Sequence, residues 1–398
     1  MSFHSIESAH KRTPPTGYAP FALGFRPFFL AAGVFAVLLL GLWLLVLRGL
    51  IDTGPLPASV WHGHEMLFGY TVAVIAGFLL TAAQNWTGLR TPSGTPLAAL
   101  FLLWLVGRVI FLVPDIPAGL AAAVDMLFLP VLALVLVQPL VKAKQLHNYP
   151  FPLMLLVLTA ANGLVHMETL GWATNTATLG LHLAAYVIVV MIVVMGGRVI
   201  PSFTDNKLRT RARRWKSIEW LMPVATIAAL IAALITPDSI VTAILAAIAA
   251  TVHFIRLAGW YTGKFWSVPL LWILHLGYGW IVLGFALLAL SSAGVLAVGS
   301  SALHAFTAGG IGVLTLGMMA RVSLGHSGRL LEPAPAITLA FVAVNLAALI
   351  RVAMPLLIPT AYIRWIEWAG LVWILAFGIF VAVYAPILLR PRLDGKPG

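Results

Sequence analysis

The sequence predicts an all-α polytopic membrane protein of about twelve transmembrane helices, with both termini cytoplasmic. Three observations carry this. The chain has 398 residues, of which 61% are hydrophobic and 9% charged, whereas soluble domains carry roughly 25% charged residues. Its mean hydropathy is +1.01, too apolar for a water-exposed surface. Lysine and arginine are also distributed unevenly between alternate connections.

A helix needs about 20 apolar residues to cross a 30 Å hydrocarbon layer. Runs bounded by Pro, Gly or charge mark such stretches near 27–47, 62–86, 96–113, 118–141, 152–170 and 176–200. A second set falls near 218–235, 239–260, 268–290, 301–321, 335–354 and 363–389. Connections are short except for 201–217, so a single transmembrane domain over 1–398 is expected, with an N-terminal cytoplasmic segment at 1–25 and a basic cytoplasmic loop at 201–217. The first 25 residues are polar and include His4, His10, Lys11 and Arg12. They have no apolar stretch ending at a small-residue cleavage site, so no cleavable signal peptide is expected.

With the N-terminus inside, 20 of the 24 Lys and Arg residues fall on the cytoplasmic side, leaving Arg48, Arg108, Arg351 and Arg364 outside. This bias sets the orientation. It also explains the net charge of +12 as topogenic, with lipid headgroups rather than nucleic acid as the partner of the run at 207–216. The sequence contains no cysteine, which excludes disulfides, iron-sulfur clusters, thiolate metal sites and covalent c-type haem. Any metal must sit on His, Met or carboxylate.

Ionisable residues inside a bilayer are costly and point to function. His62, His64 and Glu65 begin the second span, His166 and Glu168 close the fifth, His182 lies early in the sixth and His304 early in the tenth. All share the outer half of the layer. At 100° per residue, His62 and His64 face nearly opposite sides of a helix, so they suit two centres flanking it. Glu65, three residues after His62, is expected on the His62 face, where it orients an imidazole, accepts a proton or bonds a helix-terminal amide. Asn162 and His166 are four apart and share a face, as a ligand and its supporting partner would. His275, in the ninth span, serves either half of the layer. His326 is 22 residues from His304, about 33 Å along one helix, and cannot share an ion with it. His253, next to Arg256, reads as a solvated interfacial residue. Arg108, Arg198, Arg321 and Arg351, at span ends, suit haem propionates or snorkel to the interface. Neutral imidazole suits iron and copper, so a non-covalent haem fits this residue set.

The sequence resembles the NnrS family of bacterial inner-membrane proteins. The resemblance rests on FRPFFL at 25–30, WHGHEMLFGY at 61–70, GFLLTAAQNWTG at 77–88, GGRVIPSFT at 196–204, LHLGYGW at 274–280 and LGMMARVSLGHSGR at 316–329, and covers nearly the whole chain. It implies a multi-pass protein containing one or more haem b groups, with copper as a further metal, linked to denitrification and to protection from nitric oxide. Carried onto this chain, the metal ligands it implies are His62, His64, His166, His182, His275, His304 and His326, with Arg198, Pro201 and Arg321 supporting them. Glu65 and Glu168 are the residues for proton delivery. By analogy with haem-copper oxidases and nitric oxide reductases, the expected chemistry joins two nitric oxide molecules, two electrons and two protons into nitrous oxide and water, with quinol a plausible electron donor. Two other readings stay open: a non-enzymatic haem-copper protein that binds or senses nitric oxide, and a twelve-helix transporter of metal, proton or small solute.

Overall fold

The computed structural model describes residues 17–53, 56–113, 115–297 and 299–395. His4, His10 and most of the N-terminal segment lie outside the described residues. Among the described residues there are helices and turns and no strands. Twelve helical spans are long and apolar enough to cross a membrane: α1 Phe25–Leu47, α2 Ala58–Thr87, α3 Thr95–Leu112, α4 Ala118–Lys142, α5 Leu146–Thr169 and α6 Thr176–Leu208. The others are α7 Lys216–Ile235, α8 Ile240–Trp260, α9 Pro269–Ser292, α10 Ser301–His326, α11 Pro335–Leu357 and α12 Pro359–Leu389. The Ala19 amide donates to the Leu389 carbonyl at 2.8 Å, and the Arg26 guanidinium reaches the carbonyls of Leu388 and Arg390. Both described ends of the chain therefore meet at one face of the bundle, here called the termini face.

Lipid tails are as apolar as leucine, so helix association in a bilayer depends on close packing and on polar contacts between helices. The outward rows are large and apolar, as at Leu38, Leu134, Val224 and Leu339. The inward rows of α2, α6 and α10 are rich in Gly, Ala and Thr.

One departure from the sequence reading concerns residues 201–208. Pro201 marks the end of a span by sequence, yet α6 runs on to Leu208 with Pro201 inside it. Proline is tolerated in a membrane helix where neighbouring groups take over the freed backbone positions. At 33 residues, α6 is about 50 Å long and projects beyond the hydrocarbon layer. The non-helical basic segment shrinks to 209–215 and is folded back. Asp205 Oδ1 accepts the Ala212 amide at 2.8 Å, and the Arg213 amide donates to the Gly259 carbonyl at 2.8 Å.

A second departure concerns His253, which is fully buried rather than solvated. Its Nε2 meets Thr226 Oγ1 at 2.9 Å and its Nδ1 meets the Tyr278 hydroxyl at 2.7 Å. Arg256, one turn on, donates Nε and Nη2 to the two carboxylate oxygens of Glu219 at 2.9 and 2.6 Å. Its Nη1 donates to the Val193 carbonyl and the Tyr278 hydroxyl. The guanidinium lies where a Cβ on Gly197 would stand, so glycine at 197 is what lets α6 accept it. This network joins α6, α7, α8 and α9.

Arg256→Ala strips Glu219, Tyr278 and Val193 of a shared donor and is expected to cost about 3–5 kcal/mol. Tyr278→Phe removes one hydroxyl and should cost about 1–3 kcal/mol. Thermal unfolding in a single detergent ranks the two; an Arg256→Ala protein as stable as wild type would show that the network does not hold these helices.

Candidate functional site: two polar centres in the half of the bundle opposite the termini

The helix carrying the two histidines of WHGHEM is not uniform. Span α2 is α-helical over Ala58–His64, π-helical over Glu65–Thr71 and α-helical again from Val72. Span α10 repeats the pattern: Ser301–His304 is α-helical and Ala305–Gly312 π-helical. In both, the wide turns begin directly after a histidine. π-Helical turns leave carbonyls displaced from the regular ladder and cluster at functional sites. Here the Thr71 hydroxyl donates to the Met66 carbonyl at 2.8 Å, and the Trp104 indole donates to that of Gly69 at 3.1 Å. Gly63, between the histidines, permits close approach of α6, since a Cβ there would lie 2.9 Å from Leu181 Cδ1.

His62, His182 and His304 come from three helices and line one cavity of about 370 Å³, together with Trp43, Trp373, Tyr362 and Arg351. His182 Nδ1 donates to the Thr178 carbonyl and His304 Nδ1 to the Ser300 carbonyl, each at 2.8 Å. These bonds fix both rings with Nε2 on the opposite edge, carrying the lone pair. The His62 ring stacks on Trp43, with centroids 4.4 Å apart. Three polar atoms of wall residues are buried without a hydrogen-bond partner, His62 Nδ1, Arg351 Nη1 and Trp373 Nε1, while Arg351 Nη2 donates to Ser300 Oγ at 2.8 Å. Buried polar atoms are normally satisfied, and these three belong to residues lining a space that can admit a partner. The donor set of neutral imidazoles, one guanidinium and flat aromatic walls fits a haem with anionic side groups.

His64 faces a different centre, as its spacing from His62 requires. Its Nδ1 meets Glu65 Oε1 at 2.9 Å and its Nε2 meets Asn162 Oδ1 at 2.9 Å. Asn162 Nδ2 and His166 Nε2 both donate to Asp125 Oδ2, at 2.8 Å. Arg108 pairs with Glu65 at 3.0 Å and with Asp125. Both nitrogens of His64 are thus engaged by oxygen atoms. The two carboxylates of the cluster lie against the Arg108 guanidinium, as buried charges in a hydrocarbon layer require.

The ligand atoms of His64, Asp125 and His166 lie within 4.8 Å of one another, close enough to hold a metal ion. Both His64 nitrogens, His166 Nε2 and Asp125 Oδ2 are bonded to protein partners, and the Arg108 guanidinium lies beside Asp125. The cavity surrounds a space with its histidines, whereas the side chains of this cluster bond mainly to one another, with Arg108 Nε left without a partner.

The five histidines expected at one depth therefore divide three to two between separate centres. Glu65 is not on the His62 side. Its carboxylate is drawn to Arg108 and His64. Glu168 accepts the Ala177 amide at 2.7 Å and caps the start of α6, apart from both centres. His275 bonds the Leu271 carbonyl and stacks on Phe265 at 4.2 Å. His326 packs against Phe25. Arg198 holds Asn148 Oδ1 and the His147 carbonyl, and Arg321 lies 3.7 Å over the Phe203 ring. None of these residues lines the cavity or joins the closed cluster. Asp125 is the residue that sequence reading passed over. A single carboxylate in the apolar run AAAVDMLFLP was the signal that could have found it.

Asp125→Leu leaves Arg108, Asn162 and His166 without their common acceptor and is expected to cost about 3–5 kcal/mol. Asp125→Asn keeps an acceptor oxygen and should fall between it and wild type. Melting temperatures in detergent give the order, and equal values for all three would show the cluster to be structurally idle.

Comparison with curated proteins gives no match. The model of one family, described as NnrS protein, matches residues 19–392, which include every span, the histidine-lined cavity and the closed cluster. The chain thus belongs to the NnrS family, membrane proteins linked to the nitric oxide response.

Proposed function

We propose that this chain is a haem protein of a bacterial inner membrane that acts on nitric oxide, with the haem held in the cavity between α2, α6 and α10. The observation that carries the reading is the convergence of His62, His182 and His304 on one cavity, two of them with Nδ1–H fixed by backbone carbonyls. A ring held in this way presents Nε2 as the ligand atom, and the bond on the other nitrogen sets its tautomer and raises its basicity. Arg351 is the partner for an anionic ring substituent, and Trp43 and Trp373 supply flat apolar walls. When bound, haem supplies a redox-active iron with affinity for nitric oxide.

The chain's own residues position the imidazoles, exclude bulk water and neutralise charge around that group. We assign the termini face to the cytoplasm, where the excess of Lys and Arg belongs. Both polar centres then lie toward the periplasm. The activity we favour is reduction of nitric oxide to nitrous oxide, with quinol as electron donor and with the Glu65, His64, Asp125 and Arg108 cluster as the nearest reservoir of protons. Copper, the further metal that the resemblance implies, has its best-matched nitrogen and oxygen donors at His64, Asp125 and His166. The Arg108 charge stands against a cation there.

Detergent-purified protein is expected to show a Soret band and stoichiometric iron. His182→Ala and His304→Ala are each expected to lower haem content ~10-fold or more, with His166→Ala retaining it. Copper lost specifically in His166→Ala would make the closed cluster a metal centre. Anaerobic incubation with nitric oxide and a quinol should yield nitrous oxide. A stable nitrosyl complex without turnover would leave nitric oxide binding and remove the reductase activity, and a colourless protein would remove both.

A further inference from the structure

A second cavity lies on the same three helices, displaced toward the termini face. Its wall includes Thr71 and Ile75 of α2, Met191 and Met195 of α6, and Leu314 and Thr315 of α10, and several of these side chains, Ile75 and Met195 among them, are only partly buried. Its volume is about 100 Å³, and the lining contains no charged residue. The two threonine hydroxyls are spent on their own helices. Thr71 donates to the Met66 carbonyl at 2.8 Å, and Thr315 donates to the Ile311 carbonyl at 2.6 Å. This wall offers neither the hydrogen-bond donors that a quinol head group needs nor room for a porphyrin. Cavities of this kind stay dry and take up small apolar guests.

The pocket is also next to the histidine-lined cavity. Thr71 belongs to the walls of both. The other divider is a pair of side chains: Tyr70, on the histidine side, meets Thr315, on the apolar side, with 2.5 Å between their hydroxyl oxygens. A partition one residue thick separates an apolar chamber at membrane depth from the cavity assigned to the haem.

We propose that this apolar pocket is a binding site for an uncharged diatomic gas and the route by which such a gas passes from the bilayer to the histidine-lined cavity. The proposal rests on the haem reading above. Nitric oxide has no charge and little polarity, so it dissolves in hydrocarbon more readily than in water, and a lateral entrance draws on the phase where it is more concentrated. The Tyr70 and Thr315 pair is the narrowest point of the route.

Carbon monoxide serves as a non-reacting diatomic probe. After flash photolysis of the carbon monoxide complex in lipid nanodiscs, Met195→Trp and Ile75→Trp are each expected to slow bimolecular rebinding ~10-fold or more with an unchanged Soret band, since a blocked path acts on the association rate. Rates equal to wild type in both variants would overturn the route. If neither tryptophan variant folds, Thr315→Val decides: faster rebinding supports the partition, and an unchanged rate overturns it. Xenon pressurisation of crystals gives a readout independent of the haem, with a peak expected between Met191 and Leu314. A pocket without xenon would sink the proposal. Purified protein devoid of haem would instead count against the haem reading, and the xenon peak would then judge the gas site alone.

Discussion

Within the hydrocarbon layer no water is at hand to satisfy a polar group, so each buried donor, acceptor and charge must find its partner in the protein or in a ligand. The half of the bundle opposite the termini answers this requirement in two ways. At Glu65, His64, Arg108, Asp125, Asn162 and His166 the side chains bond to one another, with Arg108 Nε left over. At the other centre His62, His182 and His304 surround a cavity, and atoms of His62, Arg351 and Trp373 on its wall remain without partners. The first arrangement is filled by its own side chains, and the second encloses room for something added to it. That asymmetry is the reason the cofactor is assigned to the open centre.

The two centres are neighbours because one helix serves both. A two-residue spacing turns His62 and His64 to opposite sides of α2, and Gly63 between them lets α6 pack close enough for His182 to join His62. The π-helical turns that follow in α2 and α10 alter the helix just where the cavity needs width. Their displaced carbonyls are bonded by Thr71, Trp104 and Thr315, so the irregular backbone does not leave acceptors exposed to an apolar interior. Three spans, α2, α6 and α10, thus carry the two cavities. The buried Arg256 network fastens α6 to α7, α8 and α9.

The sequence by itself determined how many times the chain crosses the layer, which face collects the basic residues, that disulfides and thiolate sites are absent, and which histidines lie at one depth. These are properties of position along a helix. They follow from hydropathy and a fixed rise per residue, and each span can be read without knowing its neighbours. The opposed directions of His62 and His64 were legible for the same reason, since the angle between two residues of one helix is local. Family membership was legible too, through motifs distributed over the chain.

Tertiary structure alone decided the partners. Whether Glu65 turned toward His62 or His64 depended on Arg108, which is brought in by α3. His166 found Asp125 through the packing of α4 against α5. His253, which its neighbour Arg256 made look interfacial, is enclosed because Glu219, Tyr278 and Val193 enclose that arginine with it. Pro201 ended a span by sequence rules and did not end the helix. Each of these outcomes rests on which face of one helix meets which face of another. That rotation is set by side chains far away in the chain, and no window of sequence contains it.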